Sequence, residues 1–197
     1  MLIGVNGIKG SGKDTVGQYL VENYGFKRLS FAQKLKDSAA ALFDIEASEW
    51  EKLKDNDLVR IELWVNNRQH RTISARYFLQ LYGTESHRNI FGDDFWVDTL
   101  FKDFDAWDGK NYVITDARFN NELKAIKERN GFNIRVVRQE GSRIIDPHVS
   151  EAMPARIYLD YDIYNDAGFD HLYKQVDDFM AKFPMIEKNE ISYQTAT

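Results

Sequence analysis

Short apolar runs alternate with amphipathic segments along most of this 197-residue chain. Apolar runs of four to eight residues are typical of buried strands, whereas apolar positions that recur every three or four residues are typical of helices. The predicted strands cover residues 2–7, 26–31, 111–116, 132–139 and 161–166. The predicted helices cover residues 13–25, 32–43, 74–90, 93–107, 117–131 and 168–183. This alternation predicts an α/β fold with a central, mostly parallel sheet flanked by helices.

Residues 44–73 break the pattern, because their polar and aromatic side chains follow neither period. A long irregular stretch inside a compact domain is commonly a lid or a binding segment. We therefore expect one domain over residues 1–184, in which residues 44–90 form a substrate-binding excursion. We expect a polar tail at residues 185–197.

Composition narrows the classes of function. The chain has no cysteine, which excludes disulfides, thiolate metal sites and cysteine nucleophiles. A net charge of −5 without a basic stripe argues against nucleic acid as a partner. The sequence has neither an apolar run long enough to span a membrane nor the features of a signal peptide. These observations predict a cytoplasmic protein that does not bind membranes.

The sequence GIKGSGKDT, at residues 7–15, lies between a predicted strand and a predicted helix. Phosphate-binding loops read G-x-x-x-x-G-K-[ST] in that context, because glycines let backbone N–H groups surround a phosphate that the lysine also contacts. Gly10, Ser11, Gly12 and Lys13 fit this pattern. The alternative is a tight strand–helix turn without a ligand, and the strand before the loop and the helix after it favour the phosphate site.

Asp14 departs from the pattern, since the residue after the lysine normally offers a hydroxyl to a metal ion. Thr15 supplies that hydroxyl one residue later. A carboxylate at this position would repel phosphate unless it faces away. Asp14 then holds either a magnesium-bound water or a basic residue on the substrate side. We favour the first role and expect Asp14 and Thr15 to bind metal as well as nucleotide.

A second group of polar residues follows the strand at residues 111–116. Asp116 ends that strand and Arg118 comes just beyond it. In phosphate-loop enzymes an acid at a neighbouring strand end orients magnesium or its waters, and an arginine can donate two parallel hydrogen bonds to a phosphate. The alternative is that Asp116 caps the helix that follows it and that Arg118 is a surface side chain.

Taken in order, six segments of the chain resemble the deoxynucleoside monophosphate kinases of bacteriophages. The segments are GIKGSGKDT, FAQKLKDSAAALF, LQLYGTESHRNIFGDDFWVDTL, YVITDARFNNELKAIKERNGFNIRVVR, HVSEAMP and YDIYNDAGFDHLYKQV. The resemblance covers about residues 2–180 and is weakest over residues 44–73. Phosphomevalonate kinase shares the letters G-K-D. One departure lies at residues 117–120, where relatives often have a proline after the aromatic residue, which affects a helix start and not the chemistry.

The resemblance implies a three-layer P-loop nucleoside monophosphate kinase fold with helical substrate-binding and lid excursions. It also implies Mg²⁺-dependent phosphoryl transfer from ATP to a deoxynucleoside monophosphate for DNA precursor supply, in the host cytoplasm if the protein is phage-encoded. The residues it implies for catalysis are Lys13, Asp14, Arg88, Asp116 and Arg118. Those it implies for ATP are Gly10, Ser11, Gly12, Lys13, Asp14 and Thr15, with Arg138 and Asn165 near adenine. Those it implies for the metal are Asp14, Thr15 and Asp116.

The acceptor side follows from the same resemblance. It implies Lys36, Glu85, Arg88, Trp96, Arg118 and Glu151 as substrate-binding residues. The helical spacing of Trp96 is equally typical of a core position. Which bases the site accepts is not encoded in any of these motifs.

Two alternatives stay open. One is a related small-molecule kinase that acts on phosphomevalonate or dephospho-coenzyme A. The other is a nucleotide-binding module that has lost transfer activity. The apolar helix around residues 95–104 also offers a face for a homodimer.

Overall fold

The computed structural model describes residues 1–54, 56, 60–65, 69–102, 109–138 and 156–183. Glu151, predicted to bind the acceptor, and the predicted tail at residues 185–197 lie outside the described residues.

The described residues contain seven strands and eight α-helices. The strands are β1 (Leu2–Asn6), β2 (Lys27–Leu29), β3 (Arg60–Val65), β4 (Gln69–Ser74), β5 (Tyr112–Ile114), β6 (Phe132–Val137) and β7 (Tyr161–Tyr164). The helices are α1 (Lys13–Tyr24), α2 (Ala32–Ala41), α3 (Glu49–Lys54), α4 (Ala75–Gly83), α5 (Asn89–Phe91), α6 (Phe95–Phe101), α7 (Asn120–Glu128) and α8 (Phe169–Lys182). All five predicted strands are present, which confirms the alternating pattern.

Five parallel strands form the central sheet in the order β2-β5-β1-β6-β7. In the middle of the sheet, Ile3 of β1 lies opposite Val113 of β5 on one side and Phe132 of β6 on the other. Because the strands are parallel, their carboxyl ends share one edge of the sheet, where ligands bind in such folds. The loop after β1 and the residues after β5 therefore lie on the same edge.

Helices cover both faces of the sheet, so the predicted three-layer α/β architecture is confirmed. Successive side chains of a strand point to opposite faces. Ile3 and Val5 of β1 are buried in a core cluster with α1 and α8, whereas Leu2 is buried in a second cluster with α6 and α7.

The predicted excursion contains a third core, built around Trp50 of α3, which is fully buried. Its ring stacks on Phe78 of α4 at 5.6 Å between centroids and meets Phe43 edge to face at 5.7 Å. Strands β3 and β4 form an antiparallel hairpin, whose Ile61 and Ile73 pair with each other and pack on this core. The sequence pattern did not predict the hairpin, because Ile61 and Ile73 gain their apolar contacts only when the two strands pair and pack on this core.

The predicted helix over residues 74–90 is interrupted. Helix α4 ends at Gly83, a π-helical turn follows at Thr84–Arg88, and α5 continues from Asn89. Such turns are rare and occur frequently at functional sites. A Cβ at Gly83 would lie 2.5 Å from Leu35 of α2, so the glycine lets these two helices approach closely.

Three apolar residues of α6 are buried within the chain, since Trp96, Val97 and Phe101 are each at most 7% exposed, whereas Phe95 and Leu100 are partly buried. The homodimer stays a prediction. Across the described ranges, no helix combines the length and the apolar character that crossing a membrane requires.

Candidate active site

The loop between β1 and α1 closes tightly at Gly12. This residue has a left-handed backbone with φ of +107°, a conformation that glycine adopts without steric cost. A Cβ here would lie 2.6 Å from Asn165 Nδ2, so the position has no room for a side chain. Helix α1 begins at the next residue, and its first backbone N–H groups have no partner within the helix. The loop thus ends in an arrangement that attracts anions.

Lys13 folds back over this loop. Its side-chain ammonium donates a hydrogen bond of 2.8 Å to the carbonyl oxygen of Ile8, and the residue is only 6% exposed. A buried charge needs a polar partner, and this bond supplies one. The ammonium group therefore stays at the phosphate loop and does not extend into solvent.

A cavity of about 690 Å³ opens on the loop. Its lining residues come from the loop, from the end of β6 and from the segment between β7 and α8: Gly10, Gly12, Lys13, Asp14, Thr15, Arg138, Asn165, Asp166, Gly168 and Phe169. This volume is in the range of small-molecule sites. Most of the residues predicted for ATP therefore line one cavity.

Arg138 and Asn165 hold the phosphate loop in place through hydrogen bonds to its backbone. Arg138 donates a hydrogen bond of 3.0 Å to the carbonyl oxygen of Gly10, and Asn165 donates one of 2.8 Å to that of Ser11. Both residues, which the resemblance places near adenine, therefore lie at the loop and line the cavity.

Phe169 forms part of the cavity wall and was not predicted. It begins α8, is 65% exposed, and stacks on Tyr173 with 6.0 Å between ring centroids. A large aromatic side chain that lies this exposed beside a cavity is available to a flat ligand group. The available signal was its position just after the strand at residues 161–164, on the ligand-binding edge of the sheet.

Asp14 lines the cavity and also pairs with Arg28 of β2. Arg28 Nη2 also donates a hydrogen bond of 2.6 Å to Thr115 Oγ1, and that hydroxyl lies 3.3 Å from Asp14 Oδ1. Thr115 is buried directly after β5. Three residues from three sequence segments therefore meet beside the first turn of α1.

Asp116 caps α2 rather than the helix that follows it, so that alternative from the sequence is wrong. Its carboxylate accepts hydrogen bonds from the Ser30 hydroxyl at 2.7 Å and from the backbone N–H groups of Phe31 at 3.1 Å and Ala32 at 2.9 Å. A carboxylate at a helix N-terminus satisfies backbone donors and interacts favourably with the helix dipole. The end of β5 is thereby joined to the start of α2.

Arg88 is buried in an ion pair with Glu122 of α7, at 2.5 Å. Its guanidinium also lies 4.0 Å from the centre of the Phe119 ring and donates to the carbonyl oxygen of Asp93 at 3.0 Å. Burial raises the pKa of the Glu122 carboxyl, and the charge of Arg88 opposes that shift. Glu122 gave no signal of its own in the sequence.

Glu122 also organises the segment that carries Arg118. Its second oxygen accepts hydrogen bonds from the backbone N–H groups of Arg118 at 2.7 Å and Phe119 at 3.0 Å. One carboxylate therefore joins the Arg88 side chain to the Arg118 backbone, and the half-buried Arg118 follows Asp116 by two residues. The predicted residues Arg88, Asp116 and Arg118 are linked through this segment.

Lys36, predicted on the acceptor side, lies on α2 and pairs with Glu51 of α3 at 2.5 Å. Lys54 pairs with the other oxygen of the same carboxylate. Burial alone would raise the pKa of Glu51, but hydrogen bonds and charges from the two lysines outweigh it and lower the pKa to about 2. The excursion is thus joined to α2 by a charged cluster as well as by its core.

The two other described acceptor residues lie near the π-helical turn. Glu85 is exposed within the turn. Trp96 is 4% exposed and donates its indole N–H to the carbonyl oxygen of Gly83 at 2.9 Å, so its ring is held inside the helical part. Within the described ranges, no three His, Cys, Asp or Glu side chains form a group that could hold a metal ion.

A family model described as deoxynucleotide monophosphate kinase matches residues 43–176, more than half of the chain. The chain belongs to this family. A protein of Acanthamoeba polyphaga mimivirus that is described as a deoxynucleotide monophosphate kinase is 32% identical to this kinase over 193 residues, which cover 89% of this chain and 94% of that protein.

Two phage proteins are also similar to this kinase. The deoxynucleotide monophosphate kinase of Escherichia phage RB69 is 30% identical over 114 residues, which cover 56% of this chain and 46% of the phage protein. The deoxynucleoside-5'-monophosphate kinase of Escherichia phage T5 is 26% identical over 224 residues, which cover 84% and 89%. This kinase is therefore a phosphotransferase that acts on a nucleotide monophosphate.

Proposed function

We propose that this kinase transfers the γ-phosphoryl group of ATP to the phosphate of a deoxynucleoside monophosphate. The observation that carries the proposal is the cavity of about 690 Å³, which has the phosphate loop among its lining and the exposed ring of Phe169 on its wall. That combination suits a ligand with phosphates and a flat base. We further propose that residues 1–184 act as one domain, with residues 44–90 as its substrate-binding part, in the cytoplasm.

On the donor side, the backbone of Gly10, Ser11 and Gly12 and the first turn of α1 bind the ATP phosphates. Adenine stacks on Phe169, since base–aromatic stacking suits any base. Arg138 and Asn165 hold the loop through their bonds to its carbonyl groups.

Thr15 and Asp14 are the residues that would hold Mg²⁺. Both line the cavity, and the Asp14 side chain is 76% exposed, with one oxygen directed to Arg28. Mg²⁺ commonly uses one or two carboxylates together with substrate phosphates and water, and Asp14 with the Thr15 hydroxyl would suit such a site. When bound, Mg²⁺ neutralises charge on the phosphate oxygens. Asp116 contributes only through a water, because its carboxylate already accepts three hydrogen bonds.

On the acceptor side, Arg118 donates hydrogen bonds to the acceptor phosphate. Arg88 adds positive charge from its buried position, where the Glu122 carboxylate holds the guanidinium in place. Lys36, Glu85, Trp96 and Glu151 complete this side, with Trp96 as a supporting residue. Lys13 stabilises the negative charge that develops on the transferred group.

Phosphoryl transfer requires little covalent chemistry from the protein itself. The phosphoryl group passes in line between two oxygens, so positioning and positive charge supply most of the rate. The acceptor phosphate is already an anion at neutral pH, so no strong general base is needed. Closure of the excursion over the site would exclude water and so suppress ATP hydrolysis.

A panel of acceptors with labelled ATP tests the proposal. The panel contains dAMP, dCMP, dGMP, dTMP, modified pyrimidine nucleotides, the ribose counterparts, phosphomevalonate and dephospho-coenzyme A. We expect transfer to at least one deoxynucleoside monophosphate, and loss of that transfer in Lys13→Ala. Transfer only to the last two compounds would replace this proposal with the related small-molecule kinase. ATP binding without transfer to any acceptor would indicate a silent nucleotide-binding module.

A further inference from the structure

We propose that Arg28 binds the phosphate of the acceptor nucleotide and that Asp14 positions Arg28 for this role. The inference rests on the proposed function of the same site. It adds a residue that no sequence motif contains, and it gives Asp14 a task besides metal binding.

The position of Arg28 is set by two neighbours that belong to the phosphate-binding edge of the sheet. Its Nη2 atom pairs with Asp14 in the first turn of α1 and donates to the hydroxyl of Thr115, which directly follows β5. Thr115 is only 4% exposed, so one of the two contacts is anchored in the core. An exposed ion pair alone contributes little to stability, so stability does not explain this arrangement.

The remaining donors of Arg28 are available for a ligand. Both described contacts use Nη2, and within the described ranges neither Nε nor Nη1 has a hydrogen-bond partner. The side chain is 44% exposed. A guanidinium presents its N–H groups as a planar fork that matches two oxygens of a phosphate. Arg28 therefore combines a fixed end with open donors, which is what a bidentate phosphate contact needs.

The location of Arg28 favours the acceptor over the donor. Strand β2 leads within two residues into the turn at Ser30, and α2, which carries Lys36, follows. Asp116 holds that turn through the Ser30 hydroxyl. Arg28 thus lies between the phosphate loop, reached through Asp14, and the start of the helix on the acceptor side.

The pairing also explains how a carboxylate is tolerated next to bound phosphates. An unpaired Asp14 in the first turn of α1 would add a negative charge beside the negative charges of the bound phosphates. Opposite Arg28 that charge is neutralised, and the helix N-terminus stabilises it further. Asp14 still has a second oxygen, so the pair is compatible with a role of Asp14 near Mg²⁺.

The test compares Arg28→Ala, Arg28→Lys and the control Lys27→Ala in steady-state kinetics with the best acceptor from the panel. Lys27 is the neighbouring exposed cation on β2. We expect Arg28→Ala to raise the KM of the acceptor about 10- to 100-fold, as the loss of a charged bidentate contact should, with the KM of ATP within about threefold. Arg28→Lys should recover part of this loss. Lys27→Ala should leave both KM values within about threefold.

A direct binding measurement distinguishes the loss of the phosphate contact from a folding defect of the variant. Calorimetric titration of dGMP, or of the best acceptor, into the ATP-free enzyme should show the same loss of affinity in Arg28→Ala, while the thermal unfolding midpoint stays close to that of the wild type. An unchanged acceptor KM, or equal rises in both KM values, in a folded variant would overturn the inference. If the wild type phosphorylates no nucleotide, the proposed function fails instead, and the two failures are distinct.

A double-mutant cycle tests the part played by Asp14. If Asp14 acts through Arg28, Asp14→Asn should raise the acceptor KM in the wild type but add less than about twofold in the Arg28→Ala background. Full additivity would show that Asp14 does not position Arg28.

Discussion

The carboxylate of Asp116 accepts a hydrogen bond of 2.9 Å from the backbone N–H of Ala32, the first residue of α2. This bond joins the carboxyl edge of the sheet to the helix that carries Lys36. A change at Asp116 should therefore affect the acceptor side as well as the stability of the protein.

Asp116→Ala removes this cap and leaves the Phe31 and Ala32 N–H groups without their acceptor. We expect a loss of about 1–2 kcal/mol in the free energy of unfolding, as for other helix caps, together with a higher acceptor KM. Urea unfolding and steady-state kinetics measure the two effects. The exposed Asp98 of α6 is the control, and Asp98→Ala should change neither quantity. A loss of turnover with unchanged stability and unchanged acceptor KM would contradict the capping role.

Lys13→Ala tests where the loop lysine acts. Its charge matters most when the transferred phosphoryl group carries its greatest charge, so kcat should fall on the order of 10²–10³-fold. The acceptor KM should stay within about threefold. Lys9 lies in the same loop and is exposed, so Lys9→Ala shows whether any positive charge there would suffice. Similar losses in kcat and in acceptor affinity would mean that Lys13 only binds.

The buried pair of Arg88 and Glu122 makes a prediction about stability. Glu122→Ala leaves the Arg88 guanidinium buried without its counter-charge, which should cost about 3–5 kcal/mol in the free energy of unfolding. The double variant Arg88→Met with Glu122→Leu should lose less, because no buried charge remains. The exposed pair Lys124–Glu128 serves for comparison, since Glu128→Ala should cost under about 1 kcal/mol. A double variant less stable than Glu122→Ala would refute this explanation.

Gly17 lies in α1, where alanine would ordinarily stabilise a helix by about 0.5–1 kcal/mol. Here a Cβ would lie 2.2 Å from Thr115 Cγ2, so we expect Gly17→Ala to destabilise the protein by about 1–3 kcal/mol instead. Chemical denaturation measures the change. Adding Thr115→Ser removes the clashing methyl group and keeps the hydroxyl, so the double variant should regain stability. The absence of any rescue would show that the contact with Thr115 is not the cause.

Glu51 predicts a specific dependence of stability on pH. Its folded-state pKa is lowered to about 2 by Lys36 and Lys54, so it stabilises the folded state above its unfolded pKa and loses that contribution as the pH falls toward 2. Because the side chain is half exposed, solvent screening keeps the contribution under about 1 kcal/mol. The difference in unfolding free energy between wild type and Glu51→Gln should be constant above pH 5 and shrink between about pH 4.5 and 2. A difference that stays constant over this range would exclude the linkage.

Several features of this kinase could be predicted because they are local in the sequence. The phosphate loop follows from glycines and Lys13 between a strand and a helix, and the C-terminal cap of α1 follows from Gly25, whose backbone is left-handed. The ends of β1 and β5 could be assigned to one edge, since parallel strands share their direction. Arg138 and Asn165 were predicted through the resemblance, and both contact the loop.

Other features depend on pairs of residues that are distant in the chain and could not be predicted from it. Asp116 reaches Ala32 across 84 residues, and Thr115 reaches Arg28 across 87. Whether Asp116 caps α2 or α7 depends on the sheet order, which places β5 between β1 and β2. The sequence by itself determined the alternation of elements and the anion-binding loop, because both arise from neighbouring residues. Only the tertiary structure decided the partners of Asp14, Arg88 and Asp116, because packing of distant segments selects which charges meet.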